Sequence, residues 1–95
     1  MRLQYREDNK SVAFRLSAPH AQHVSLVIRP AKGDKTLTRG MRKGVDGVWH
    51  AKVELPRGRH MYRFLVDNAP TLDPASRGDV IDEHGDAWST CEVGH

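Results

Sequence analysis

Trp49-His50-Ala51-Lys52-Val53-Glu54-Leu55-Pro56-Arg57-Gly58-Arg59-His60-Met61-Tyr62-Arg63-Phe64-Leu65-Val66 is the stretch that decides the fold class. Trp49, Ala51, Val53 and Leu55 alternate with His50, Lys52 and Glu54. Tyr62, Phe64 and Val66 alternate with Met61, Arg63 and Leu65. A two-residue period is that of a β-strand with one face buried and one in water. Between the two runs, Pro56 presets φ and Gly58 accepts a left-handed φ, which makes a turn. A glycine-turned hairpin would let two such long strands pair in register. Tyr62 and Phe64 then give large apolar area to the core, and the buried Tyr62 hydroxyl needs a polar partner.

The same alternation extends towards both ends. Val12, Phe14 and Leu16 alternate with Ala13 and Arg15, and Val24, Leu26 and Ile28 with Ser25 and Val27. A last short element, Ser89 to Val93, points Cys91 and Val93 inward. Turn signals fall at Ala18-Pro19-His20, Lys32-Gly33-Asp34, Asp46-Gly47 and Asp67-Asn68. Asp46-Gly47 reads as the strongest hairpin signal, a type I′ turn. Pro30 to Arg39 and Leu72 to Asp86 read as irregular, and the loops at the ends of a sandwich are where function usually sits. No helical period outlasts a turn. The rhythm predicts an all-β protein, with seven or eight antiparallel strands in two sheets and residues 1–95 as one immunoglobulin-like β-sandwich domain.

Cys91 is the only cysteine, so no intrachain disulfide staples the sheets and a reducing compartment is favoured. The opening residues hold no apolar run, and no stretch is long enough to span a membrane. Cytoplasmic residence is expected, with no membrane partner. Fifteen Lys and Arg against 12 Asp and Glu give a net charge of +3, but the signs are mixed along the chain. Arg39, Arg42 and Lys43 would meet Lys52, Arg57 and Arg59 if their strands were neighbours. A solvated sheet face explains them more simply than nucleic acid, which is not an expected partner.

Metal and catalytic chemistry find little support. His20 and His23 sit three apart in a turn with no second pair at zinc spacing. Asp79, Asp82, Glu83, His84 and Asp86 lack calcium-loop spacing and read as a solvated acidic loop. No cofactor is expected. No nucleophile elbow, phosphate loop or paired-carboxylate motif is present. A small sandwich seldom forms the cleft that holds a glycan between two acids.

The run from Asp46 through Asp67, followed by Leu72-Asp73-Pro74, resembles the glycogen-binding domain of the AMP-activated kinase beta subunit. It is also similar to the N-terminal sandwich domains of isoamylase and branching enzyme. Val12-Ala13-Phe14-Arg15-Leu16-Ser17-Ala18-Pro19 resembles that family's first core strand, and Val24-Ser25-Leu26-Val27 its second. The likeness spans about Ser11 to Val93 and implies an early-set, immunoglobulin-like antiparallel β-sandwich. It implies an α-glucan such as glycogen or maltodextrin as ligand. In kinase-type members two Trp side chains stack on sugar rings, and a Lys and an Asn bond the hydroxyls. An apolar pyranose face suits an aromatic ring, and its hydroxyl rim needs polar partners.

Most of those contacts are changed here. Arg29 to Leu37, where the first Trp is matched, holds no aromatic, and Pro70 stands near the place of the second. Arg63 matches the Lys, keeping the charge in a planar fork. The terminal Asn is matched at or beside Trp88-Ser89, and His84 approximately matches a leucine that grips the glucan. Trp49 belongs to the core set of its strand. Strand parity sets Trp88 on the outer face, as an exposed stacking surface, unless a bulge makes it a core plug. The resulting expectation is a non-catalytic glucan-recognition module with a degenerate or rearranged sugar site. In it Arg63 contacts hydroxyls, Trp88 stacks, and His84 and Asn68 line the site. The alternatives are a protein-interaction adaptor that has lost glucan binding, and weak polyanion binding through the arginine and lysine face.

Overall fold

The computed structural model describes residues 9–29, 36–76 and 78–94. The described residues contain no helix and form nine strands. They are β1 (Asn9–Ser17), β2 (Val24–Arg29), β3 (Leu37–Gly40), β4 (Arg42–Lys43), β5 (Val48–Pro56), β6 (Gly58–Val66), β7 (Ala69–Thr71), β8 (Asp79–Ile81) and β9 (Ala87–Val93). One sheet has the order β1-β5-β4. The other has the order β3-β2-β6-β9-β8, with β7 also on β6. All pairings are antiparallel. The all-β immunoglobulin-like sandwich expected from the alternation is the fold.

The two sheets bury the faces that the two-residue period selects. Phe14 and Leu16 of β1 and Trp49, Val53 and Leu55 of β5 meet Leu26, Ile28, Tyr62 and Phe64 in one core cluster. Phe14 and Tyr62 pack edge to face with centroids 4.9 Å apart, and Tyr62 and Phe64 do so at 5.9 Å. Such pairs add to area burial because the ring edge is positive and the face negative. Trp49 is 6% exposed and donates its indole N–H to Ala18 O at 2.9 Å. The Tyr62 hydroxyl finds its partner in the Asp73 carboxylate. Burial pushes that phenol well above its ordinary range, and the carboxylate adds to the shift.

Several local readings are corrected. The two long strands do not pair with each other. β5 pairs with β1 and β4, while β6 pairs with β2, β9 and β7 in the other sheet. Gly58, at φ 130°, carries the chain from one sheet to the other instead of closing a hairpin. The type I′ turn lies elsewhere. Asp67 (φ 49°) and Asn68 (φ 73°) both take positive φ and join Val66 to its partner Ala69, whereas at Asp46-Gly47 only Gly47 does. Asp67 is held there because its carboxylate accepts the N–H groups of Gln22 and His23 at 2.9 and 2.8 Å. The strand count exceeds seven or eight because β3, β4, β7 and β8 are only two to four residues long, too short for alternation to show. β7 ends just before the stretch read as a loop, and β8 lies inside it. The Lys32-Gly33-Asp34 turn lies outside the described residues.

Candidate functional site

The outer face of the larger sheet carries the residues that the sequence singled out. Tyr62 pairs with Ser89, so the next step of the same register sets Arg63 beside Trp88, both pointing away from the core. Val27 of β2 flanks Arg63 on its other side, and Val80 of β8 pairs with Trp88. The parity reading of Trp88 is therefore right, with Cys91 and Val93 on the inner face. Its exposure is not what parity alone suggests, for Trp88 is only 5% exposed.

Two contacts account for this burial. The Arg63 guanidinium lies over the indole, its carbon 4.3 Å from the ring centroid, in cation–π geometry. The indole N–H donates to Asp82 Oδ2 at 2.9 Å. Asp82 belongs to the β8–β9 connection, which comes back over this outer face. Arg29, at the end of β2 and outward by parity, donates to the same Oδ2 at 3.3 Å and reaches Glu83 at 3.2 Å. The other oxygen, Asp82 Oδ1, accepts the backbone N–H groups of His84 and Asp86, each at 2.9 Å. Gly85, at φ 86°, closes the turn.

Asp82 is thus the fastening point of the face, and its side chain is 3% exposed. The bond from Trp88 and those from the two backbone amides hold its carboxyl down at about 2, against an opposing push from burial. Glu83 is also held below the ordinary carboxylate range, by its own backbone amide and by Arg29. The solvated-loop reading holds for Glu83, His84 and Asp86; Asp79 is exposed but lies in β8, and the reading fails for Asp82, which is an interior ligand of its own loop. Burial pushes the thiol of Cys91, half-buried in β9, upward. No group of three or more His, Cys, Asp or Glu is arranged to hold a metal among the described residues.

The four residues read as a sugar site are only partly brought together. Arg63 and Trp88 are in direct contact. His84 joins them through its backbone bond to Asp82, with its imidazole 72% exposed. Asn68 lies beyond the end of β6 in the type I′ turn, exposed, with its backbone shaping the turn. Arg63 Nε is buried with no hydrogen-bond partner among the described residues. Its remaining donors lie in a side chain that is only partly covered.

Arg29 and Asp82 are the members that sequence reasoning missed. Arg29 had no signal, because its partners lie more than fifty positions away and only the β2-β6-β9 order joins them. Asp82 had a weak one. Asp followed three residues later by Gly fits a turn opened by an Asx hydrogen bond.

A family model described as carbohydrate-binding module 48 (isoamylase N-terminal domain) matches residues 2–88. The chain belongs to that family. The module is 42% identical over 62 residues to a 1,4-alpha-glucan branching enzyme, GlgB, of Lactobacillus acidophilus, a stretch that is 65% of this chain and 9% of that enzyme. Among solved structures it is similar to a pullulanase from an Anoxybacillus species, with a TM-score of 0.68 and 19% identity over 83% of this chain. It is also similar to a type I pullulanase from Bacillus subtilis complexed with maltose, with a TM-score of 0.68 and 19% identity over 90% of this chain. The module spans 12% of each pullulanase chain. These likenesses establish the sandwich fold.

Proposed function

We propose that the module is a non-catalytic α-glucan recognition domain, with a rearranged site on the outer face of the larger sheet. The observation that carries this reading is the match of the carbohydrate-binding family across residues 2–88. The likeness to a 1,4-alpha-glucan branching enzyme and to a pullulanase complexed with maltose supports an α-1,4-linked glucan, such as glycogen or maltodextrin, as the ligand class. Arg63 supplies the hydroxyl contacts. Its planar fork, placed over Trp88, presents several donors in one plane. His84, in the 82–86 turn over this face, and Asn68, in the turn beyond β6, are its further candidate contacts. With the indole covered, the ring acts in the closed face as the platform of the arginine. A sugar that stacks on Trp88 itself must first displace that guanidinium. A soluble, cytoplasmic setting completes the reading.

The test is a titration with maltoheptaose followed by amide and indole shifts. Saturable shifts at Arg63, His84 and Trp88, insensitive to salt and lost in Arg63→Ala, are expected. Absence of shifts at millimolar sugar refutes the reading and leaves a protein-docking sandwich that has lost glucan binding.

A further inference from the structure

The outer face of the smaller sheet has a charge pattern that glucan recognition does not use. By parity it presents Ser11, Ala13, Arg15 and Ser17 of β1, His50, Lys52 and Glu54 of β5, and Arg42 of β4. The register sets Arg15 directly opposite His50, and His50 directly opposite Arg42. Three basic side chains therefore form one row across three strands, about 10 Å from end to end at ordinary strand spacing. Lys52, paired with Ala13, extends it by one step along β5. All four are exposed.

Arg15 and Arg42 flank His50 two strand spacings apart, and no carboxylate stands between them in the row. Arg15, Arg42 and Lys52 form no ion pair among the described residues, whereas Arg29 and Arg59 elsewhere have carboxylate partners. The Asp46 carboxylate, in the loop before β5, accepts the Val48 N–H at 3.1 Å. Sequence reading had grouped Arg42 and Lys52 with Arg39, Arg57 and Arg59. The topology separates them, since Arg39 and Arg59 lie in the other sheet and Arg57 at the crossing between the two. It brings in Arg15 instead. The Lys43 ammonium is occupied, donating to Pro19 O at 2.7 Å.

We infer that this face docks against an acidic protein surface. The register of three strands sets the row, and its Arg15, Arg42 and Lys52 cations match carboxylates spaced across a partner's surface. Glu54, on the same face, disfavours a uniform polyanion and fits a mixed surface with a cation at its rim. The acidic side chains Asp82, Glu83 and Asp86 belong to the larger sheet, which leaves the basic face free to orient a partner.

The test titrates a short peptide of glutamates interspersed with serines and one lysine into the labelled module, with an oligothymidylate of equal length as comparison. Saturable amide shifts at Ala13, Arg15, Arg42, His50 and Lys52 that vanish at high salt are expected. Arg15→Gln with Arg42→Gln should weaken peptide binding roughly tenfold, as for two exposed ion pairs. Arg57→Gln with Arg59→Gln removes the same charge elsewhere and should leave it within about twofold. Equal losses in the two double variants would show that net charge alone is felt and overturn the inference. So would tighter binding of the oligothymidylate on the same row, which would make a phosphate polymer the occupant. Maltoheptaose shifts should be unchanged in Arg15→Gln/Arg42→Gln, so glucan recognition and docking fail or stand separately.

Discussion

Replacing Trp88 by alanine separates a buried fastening from an exposed platform. An indole of ~200 Å² buried at ~25 cal/mol per Å² corresponds to an upper bound of about 5 kcal/mol. Partial collapse of the outer face reduces this to about 3 kcal/mol, within the range for large-to-small aromatic changes. The change also leaves Arg63 without its ring and Asp82 without the indole N–H, so relaxation cannot recover the whole loss. For a domain of this length 1 kcal/mol moves Tm by roughly 4–8 °C, so Tm should fall by about 12–24 °C. An indole standing free in solvent as a stacking surface would instead cost within about 0.5 kcal/mol. Thermal unfolding followed by circular dichroism decides between them. A Tm within a few degrees of the parent would refute the closed face, and with it the claim that Arg63 and Asp82 hold the indole down. Trp88→Phe refines the result. It keeps most of the apolar area but cannot donate to Asp82, so its Tm should lie between those of the parent and Trp88→Ala. The same variants warn against reading lost sugar binding in Trp88→Ala as a lost contact. Arg63→Ala is the cleaner probe, because it removes the hydroxyl donors while the indole N–H keeps its bond to Asp82.

Asp82 makes the face sensitive to acid. Its carboxyl sits at about 2 in the folded protein against an ordinary 3.8, so its stabilising effect is complete above about pH 4 and is lost as pH falls towards 2. The Trp88 indole N–H resonance should follow that titration, and Asp82→Asn should abolish the transition. A midpoint near 4 would show that the carboxylate is not fastened as described. Gly47→Ala should destabilise by about 1–3 kcal/mol in urea unfolding. Gly47 sits at φ 80°, and a Cβ there would lie 2.9 Å from Pro19 Cβ. A neutral result would show that the 44–48 turn relaxes freely.

The sequence determined the fold class because burial in a sandwich is written directly as a two-residue period. Phe14, Leu16, Leu26, Ile28, Trp49, Val53, Leu55, Tyr62 and Phe64 were all legible as core on that ground, and the structure buries each one. It also determined that Arg63 faces outward, since parity carries from one residue to the next, and it favoured the outer face for Trp88 while leaving a bulge open. Local chemistry was enough for those statements. The partner of each strand was another matter. Pro56-Arg57-Gly58 looks like a hairpin but is a crossing between sheets, because pairing depends on which strands compete for an edge, and β5 is flanked by β1 and β4 while β6 is flanked by β2, β7 and β9. The burial of Trp88 came from Asp82 and the 82–86 turn folding back, and from Arg29 two strands away, contacts that no short window contains. The basic row of Arg15, His50 and Arg42 arose in the same way, from three segments far apart in the chain brought level by antiparallel register. Period and turn chemistry act over a few residues and can be read along the chain. A site assembled across strands is fixed only once topology has chosen the neighbours.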